Sequence, residues 1–181
     1  LAHGENHHMP FVQTLIIKSS VGLGVLIATI IFSKKHNLNK YVFLDLISAS
    51  APIGIFFGRI SNFINSELYG RETDALWSVV FIKVDNISRH PSQIYEAALE
   101  GLILFFIMFF FTKKNYILKP GLISSLFLIF YSLFRFFTEF YRAPDEHLGF
   151  VLLNLTMGQV ISLIFLCFAF YLFSTKKNEN K

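Results

Sequence analysis

The sequence predicts an all-α integral membrane protein of about five transmembrane helices, with a small extracytoplasmic segment between the second and third. Three observations carry that prediction. The 181 residues are 54% hydrophobic and only 15% charged, against ~25% charged in ordinary soluble domains, and the mean hydropathy is +0.53. A soluble fold of this size would have too little polar surface to cover itself. Five apolar segments stand out along the chain, separated by polar connectors. Lysine and arginine, finally, sort onto alternate connectors.

Residues 1–10, LAHGENHHMP, form a polar, His-rich N-terminus that contrasts with the apolar segments after it. They hold no initiator Met and no signal-peptide pattern, so the chain reads as a piece of something longer or one with an unusual start. The first apolar segment is Phe11–Phe32 and the second is Tyr41–Phe57. The third, Gly101–Thr112, extends back through Tyr95–Glu100; the fourth is Gly121–Phe140 and the fifth Leu152–Phe173. A span needs ~20 residues, so the second and third draw on their flanks. The division is then 1–10 as the atypical N-terminus, 11–175 as a transmembrane core and 176–181 as a cytoplasmic tail. Between Arg71 and Arg89, ALWSVVFIKV reads as a short strand or as an interfacial segment with Trp77 at headgroup depth. HPSQIYEA reads as a helix start, with Ser92 as N-cap.

The basic residues orient these spans. SKKHNLNK, KKNYILK and STKKNENK follow the first, third and fifth segments and hold nine Lys and no Arg. The alternate connectors carry the Arg residues and a single Lys, Lys83. The positive-inside rule puts the Lys connectors in the cytoplasm, with the N-terminus outside and the C-terminus inside. All five Arg then fall on or near the outer side, where topology disfavours them. Guanidinium groups match phosphate bidentately and ammonium groups do not, so the arrangement points to an anionic, phosphate-bearing ligand.

Two polar clusters sit against apolar runs. In GRISNFINSELYGR, Gly58 to Arg71, a continuing helix would put Arg59, Asn62 and Ser66 on one face, and Glu67 would reach Arg71 at i,i+4. In YSLFRFFTEFYRAPDEHLG, Tyr131, Arg135, Glu139 and Arg142 form one helical stripe. A charge as deep as Arg135 must be paired or face water, and Glu139 is the partner at hand. In SRHPSQIYEA, His90 reads as a turn residue before Pro91 or as an acid/base group, with Gln93, Tyr95 and Glu96 nearby. Gly158 and Gln159 open the last span, where a Gly permits close helix packing. His3, His7 and His8 match no metal-ligand spacing. The lone Cys167 lies in an apolar run and can form no internal disulfide. The net charge of +4 resides in basic residues that punctuate apolar spans, so it speaks for membrane topology and against nucleic acid.

At these residues the chain resembles the bacterial prolipoprotein diacylglyceryl transferase family. GRISNFINSELYGR is similar to the family's signature, RHPSQIYEA to its next motif, and FRFFTEFYRAPDEHLG with TMGQ to its third, in the same order, over Gly22 to Phe173. The resemblance makes residues 11–175 a transferase-like core in the bacterial inner membrane, with its site towards the periplasm. The family moves a diacylglyceryl group from phosphatidylglycerol to the thiol of a prolipoprotein's lipobox Cys, and glycerol phosphate leaves. The partners implied are phosphatidylglycerol, the lipobox segment and the bilayer; no cofactor is implied. Residue by residue, the resemblance implies substrate binding by Arg59, Asn62, Glu67, Gly70 and Arg142, and catalysis by Arg135, Tyr131 and Glu139. Three departures accompany it. The family usually has Gly where this chain has Ser61 and Ser66. Its His-Gly-Gly stretch corresponds here to IKSSVGLG, which holds no His. Two further spans are expected upstream, so the chain is expected to be an N-terminally incomplete or atypical member. The alternatives are a non-catalytic membrane fragment and an anion-binding transporter; the latter should show an inverted repeat, and none is found.

Overall fold

The computed structural model describes residues 24–114, 116–143, 150–152 and 155–179. The start of the first predicted span and the N-terminal histidines lie outside these. The described part opens with a helix at 24–35 (α1), closed by Asn37 in the left-handed region at φ 52°. The chain turns at once into α2, Lys40–Ile64, where Asn39 accepts the Tyr41 N–H at 3.0 Å as N-cap. α2 is 25 residues long, about 37 Å at 1.5 Å per residue, so the second apolar segment does take up its flanks.

α3 runs over Ser92–Lys113, with a π-helical stretch at Ala97–Ile103. A short 3-10 turn at Tyr116–Leu118 leads to α4, Leu122–Thr138, and α5 is Met157–Glu179. α2, α3 and α5 are long and apolar enough to cross a membrane; the 17 residues of α4 make a shorter apolar helix. The last span thus begins at Met157 rather than Leu152, because 150–152 and 155–156 pair as a small antiparallel hairpin, β3 and β4. At its other end the helix runs through Lys176 and Lys177 to Glu179. Between α2 and α3, Val79–Val80 (β1) pairs with Ser88–Arg89 (β2), so the ALWSVVFIKV segment does hold a strand, though only two residues of it.

α4 packs along α5, and α2 packs against both α3 and α4. The apolar core, Leu104, Met108, Ile123 and Leu126, lies between α3 and α4, bordered by Phe111, Phe127 and Phe134. Gly101 lets α3 close on α2: a Cβ there would lie 2.7 Å from the Phe56 Cβ. At the opposite end from the site, the fully buried Asp45 of α2 accepts the Gly121 N–H at 2.7 Å and the Ser124 N–H at 2.8 Å. These are two of the N–H groups that the start of α4 leaves without intrahelical partners. Gly121 itself has φ 92°, and the aliphatic chain of Lys176 covers it. Lys176 also places its Nζ 3.9 Å from the Tyr41 ring centre, which ties the starts of α2 and α4 to the end of α5.

Ser92 corrects an expectation. It is the first residue of α3, the N-cap is Pro91 with no side-chain cap bond, and the Ser92 hydroxyl donates instead to the Leu68 carbonyl at 3.1 Å. The helix start is tied down by the preceding loop rather than by its own cap.

Candidate active site

α2 rises into the Arg-bearing end of the bundle, and α3 starts there and descends. A helix displays residues four apart on one face. Glu96 and Glu100 of α3 therefore look together at α2 and α4, and both are completely buried. Arg59 of α2 meets them from one side, its Nη1 3.0 Å from a Glu96 oxygen and its Nη2 3.1 Å from a Glu100 oxygen. Arg135 of α4 meets them from the other. Its Nη1 lies 2.5 Å from Glu96 and 3.7 Å from Glu100, and its Nη2 lies 2.5 Å from Glu139. The pairing of Arg135 with Glu139 is as the i,i+4 spacing predicts.

Arg142 reaches the same carboxylate, with its Nη1 3.7 Å from Glu96. It does so from beyond the helix: α4 ends at Thr138 with Glu139 as C-cap, so the four-residue stripe stops there and Arg142 bridges to Gly70 instead. Tyr131, one turn before Arg135 on α4, is half-buried and stacks on Phe127 with ring centres 5.7 Å apart. Thr138 donates its hydroxyl to Glu100 at 3.1 Å. Among the described residues, three guanidinium groups thus converge on three carboxylates, an arrangement tolerated at membrane depth because each charge is partnered.

Glu139 has a second support. It accepts the Thr156 hydroxyl at 3.1 Å, and a Cβ on Gly158 would lie 2.6 Å from one of its oxygens. Gly158 therefore does allow close packing, and what it admits is the Glu139 carboxylate at the start of α5, where a helix favours negative charge.

The remaining signature residues do other work. α2 ends at Ile64 and Asn65 caps it, so Ser66 leaves the face that Arg59 and Asn62 share and takes φ 62° in the left-handed region. The non-helical path also removes the i,i+4 geometry expected of Glu67 and Arg71. Asn62 is half-buried, and its carbonyl accepts the Glu67 N–H at 2.8 Å. The Glu67 side chain is exposed, while its carbonyl accepts from Gln93 at 2.7 Å. Gly70 is buried where three backbone strands cross: a Cβ there would lie 2.2 Å from the His90 carbonyl oxygen and 2.8 Å from that of Tyr141. Arg71 donates Nε–H to the Arg142 carbonyl at 2.9 Å, closing the same crossing.

A cavity of about 410 Å³ opens beside the charged cluster, lined by Trp77, His90, Tyr95, Ala98, Leu99, Phe137, Thr138 and Tyr141. Thr138 is the wall it shares with the cluster. On the adjoining hairpin, Arg89 donates to Asp85 at 2.6 Å and holds that carboxyl below the usual carboxylate range. Glu100, Thr138 and the cavity residues Trp77, Ala98, Leu99, Phe137 and Tyr141 were not singled out as site residues from the sequence. The signal for Glu100 was present, since two carboxylates four apart in an apolar run demand partners. The cavity carried none, because its walls come from three separate segments.

This fold and site define a multi-pass helical membrane protein with an arginine–carboxylate cluster buried at one end. Residues 21–175 match the family described as prolipoprotein diacylglyceryl transferase, and the chain belongs to that family. It is similar to the phosphatidylglycerol–prolipoprotein diacylglyceryl transferase of Rickettsia bellii (strain OSU 85-389), 52% identical over 151 residues that cover 83% of this chain and 57% of that one. The protein of the same name from Rickettsia akari (strain Hartford) is 52% identical over 151 residues, 83% of this chain and 58% of that one. That of Wolbachia pipientis wMel is 47% identical over 145 residues, 78% and 54% respectively. The chain spans just over half the length of these curated relatives.

Proposed function

We propose that this chain carries the phosphate-binding and reaction centre of a phosphatidylglycerol:prolipoprotein diacylglyceryl transferase, set in the bacterial inner membrane with its site towards the periplasm. The observation that carries the reading is the convergence of Arg59, Arg135 and Arg142 on the buried Glu96. A planar guanidinium offers a fork that matches a phosphodiester, and a buried carboxylate holds that fork in place before the lipid arrives.

In the reaction the lipobox thiol loses its proton, and its sulfur attacks the glyceryl carbon that bears the phosphate ester. The C–S bond forms as the C–O bond breaks, and glycerol phosphate leaves with the bonding electrons. Negative charge grows on the departing phosphate, and Arg59 and Arg135 stabilise it in a low-dielectric site. Asn62 and Arg142 flank the headgroup. Tyr131 and Glu139 hold the Arg135 side of the cluster. Glu67 and Gly70 contribute through the loop they build: Glu67 anchors Gln93, and Gly70 admits the crossing strands.

The test replaces Arg59 and follows diacylglyceryl transfer from phosphatidylglycerol to a lipobox peptide in proteoliposomes. Arg59→Ala is expected to lose ~3–4 kcal/mol of transition-state stabilisation. Arg59→Lys keeps the charge but not the fork, so it is expected to recover little. Near-normal transfer by folded Arg59→Ala protein would make Arg59 a packing residue and move the phosphate site to Arg135.

A further inference from the structure

The proposed transfer needs a group that takes the thiol proton, because a free thiol has a pKa near ~8.5 and only its thiolate is a competent nucleophile. The charged cluster is poorly suited to that task, since its carboxylates already hold guanidinium groups. The cavity next to it contains a better one. Of the two histidines among the described residues, His36 lies at the Lys-bearing end and His90 at the Arg-bearing end, in the cavity wall.

His90 sits in a hydrogen-bond chain. The indole Nε1–H of Trp77 donates to the Tyr95 hydroxyl at 2.7 Å, and the Tyr95 oxygen lies 3.2 Å from His90 Nδ1. An indole nitrogen can only donate, so the phenol oxygen accepts there. Towards Nδ1 that hydroxyl can accept an N–H or give its own O–H; in the tautomer with Nδ1 protonated, Nε2 carries the lone pair, and no contact to it is seen among the described residues. A base whose far nitrogen is held by a hydrogen-bonded neighbour is the arrangement proton abstraction requires. The ring is also fixed by Tyr141, edge-on at 5.2 Å, and the His90 backbone by Gly70 and Arg71, at 3.1 and 2.9 Å. The close crossing at Gly70 therefore places this imidazole.

We infer that His90 is the general base that deprotonates the lipobox thiol, and that Tyr95 is the positioning residue that fixes its tautomer. This rests on the proposed transfer. The thiol enters the cavity, and its proton passes to His90 Nε2. The sulfur attacks the glyceryl carbon, and the C–O electron pair leaves with the phosphate held on the other side of Thr138. The imidazolium then gives the proton to the departing glycerol phosphate, which closes the balance. The titratable groups around the imidazole are Tyr95 on α3, Tyr141 after α4, Arg71 across the strand crossing, and Arg89 of β2 with Asp85 and Glu72.

The experiment compares a Cys peptide with its selenocysteine counterpart as acceptors, using the full chain in proteoliposomes containing phosphatidylglycerol. A selenol is already ionised at neutral pH and needs no base. His90→Gln is expected to transfer to the Cys peptide at least ~100-fold more slowly at neutral pH, to recover as the pH approaches the thiol pKa, and to stay near wild type with the selenocysteine peptide. Tyr95→Phe is expected to fall between, with a displaced pH profile for the Cys peptide alone. Equal losses with both acceptors would make His90 structural and overturn the inference, as would an unchanged rate and pH profile with the Cys peptide. A wild-type chain silent towards both peptides would overturn the transfer reading and this inference with it.

Discussion

Glu96 holds the site together at the level of single residues. It touches Arg59, Arg135 and Arg142, and it is completely buried. Removing one member of a buried charge cluster leaves the others uncompensated, which costs ~3–5 kcal/mol. Glu96→Ala is therefore expected to lower the thermal midpoint in detergent sharply, and Glu96→Gln, which keeps the shape and one acceptor, to lower it less. Unchanged unfolding in both would show that the guanidiniums are satisfied without this carboxylate. Part of the cluster was legible in the sequence. The Arg135–Glu139 pair follows from i,i+4 spacing, and the need to partner a deep charge follows from its apolar surroundings. The other contacts were not legible, because Arg59 finds Glu100 across 41 residues and Arg135 finds Glu96 across 39. Spacing reports neighbours on one helix only. Ser66 is a different case: the resemblance puts Gly at its position, and the φ of 62° gives the reason, since a residue with a Cβ is strained there and Gly is not.

Among the elements, helices were legible in number and place, and their ends were not. Lengths set by apolar runs stopped short of the C-terminal ends of α2 and α5, where polar residues continue each helix to Ile64 and Glu179. Asp45 shows a contact that no run of residues announces. It lies on α2, yet it satisfies the first N–H groups of α4, with Gly121 at 2.7 Å and Ser124 at 2.8 Å. A cap supplied from another helix leaves no local signature, whereas Asn39, which caps its own helix, does. The same reasoning failed at Ser92, whose hydroxyl serves the Leu68 carbonyl instead. Because Asp45 joins two helices, Asp45→Ala is expected to cost about 1–2 kcal/mol, read as a lower midpoint in denaturant. Amide exchange should rise first at Gly121 and Ser124. Exchange that rises uniformly along α4, or not at all, would mean that the carboxylate does not cap this helix.

On the scale of the whole molecule, the bundle has two electrically different ends. Lys40, Lys113, Lys114, Lys176 and Lys177 sit at the ends where α2 starts and where α3 and α5 finish. Arg59, Arg89, Arg135 and Arg142 gather at the other end, and each lies against an acidic side chain. In the proposed orientation the arginines tolerate the side that the positive-inside rule disfavours because each is held against a carboxylate within the fold. The expected result is a cytoplasmic Lys end and an outward hairpin. It can be read in a Cys167→Ser background carrying a single new cysteine at Asp74, on the exposed approach to β1, or at Leu38, in the exposed turn between α1 and α2. A membrane-impermeant thiol reagent applied to intact cells should label position 74 at once and position 38 only after the membrane is opened. The reverse pattern would invert the molecule. It would place the arginine cluster at the inner leaflet, where an exported prolipoprotein's thiol could not reach it after translocation, and the transfer reading would fall with the topology.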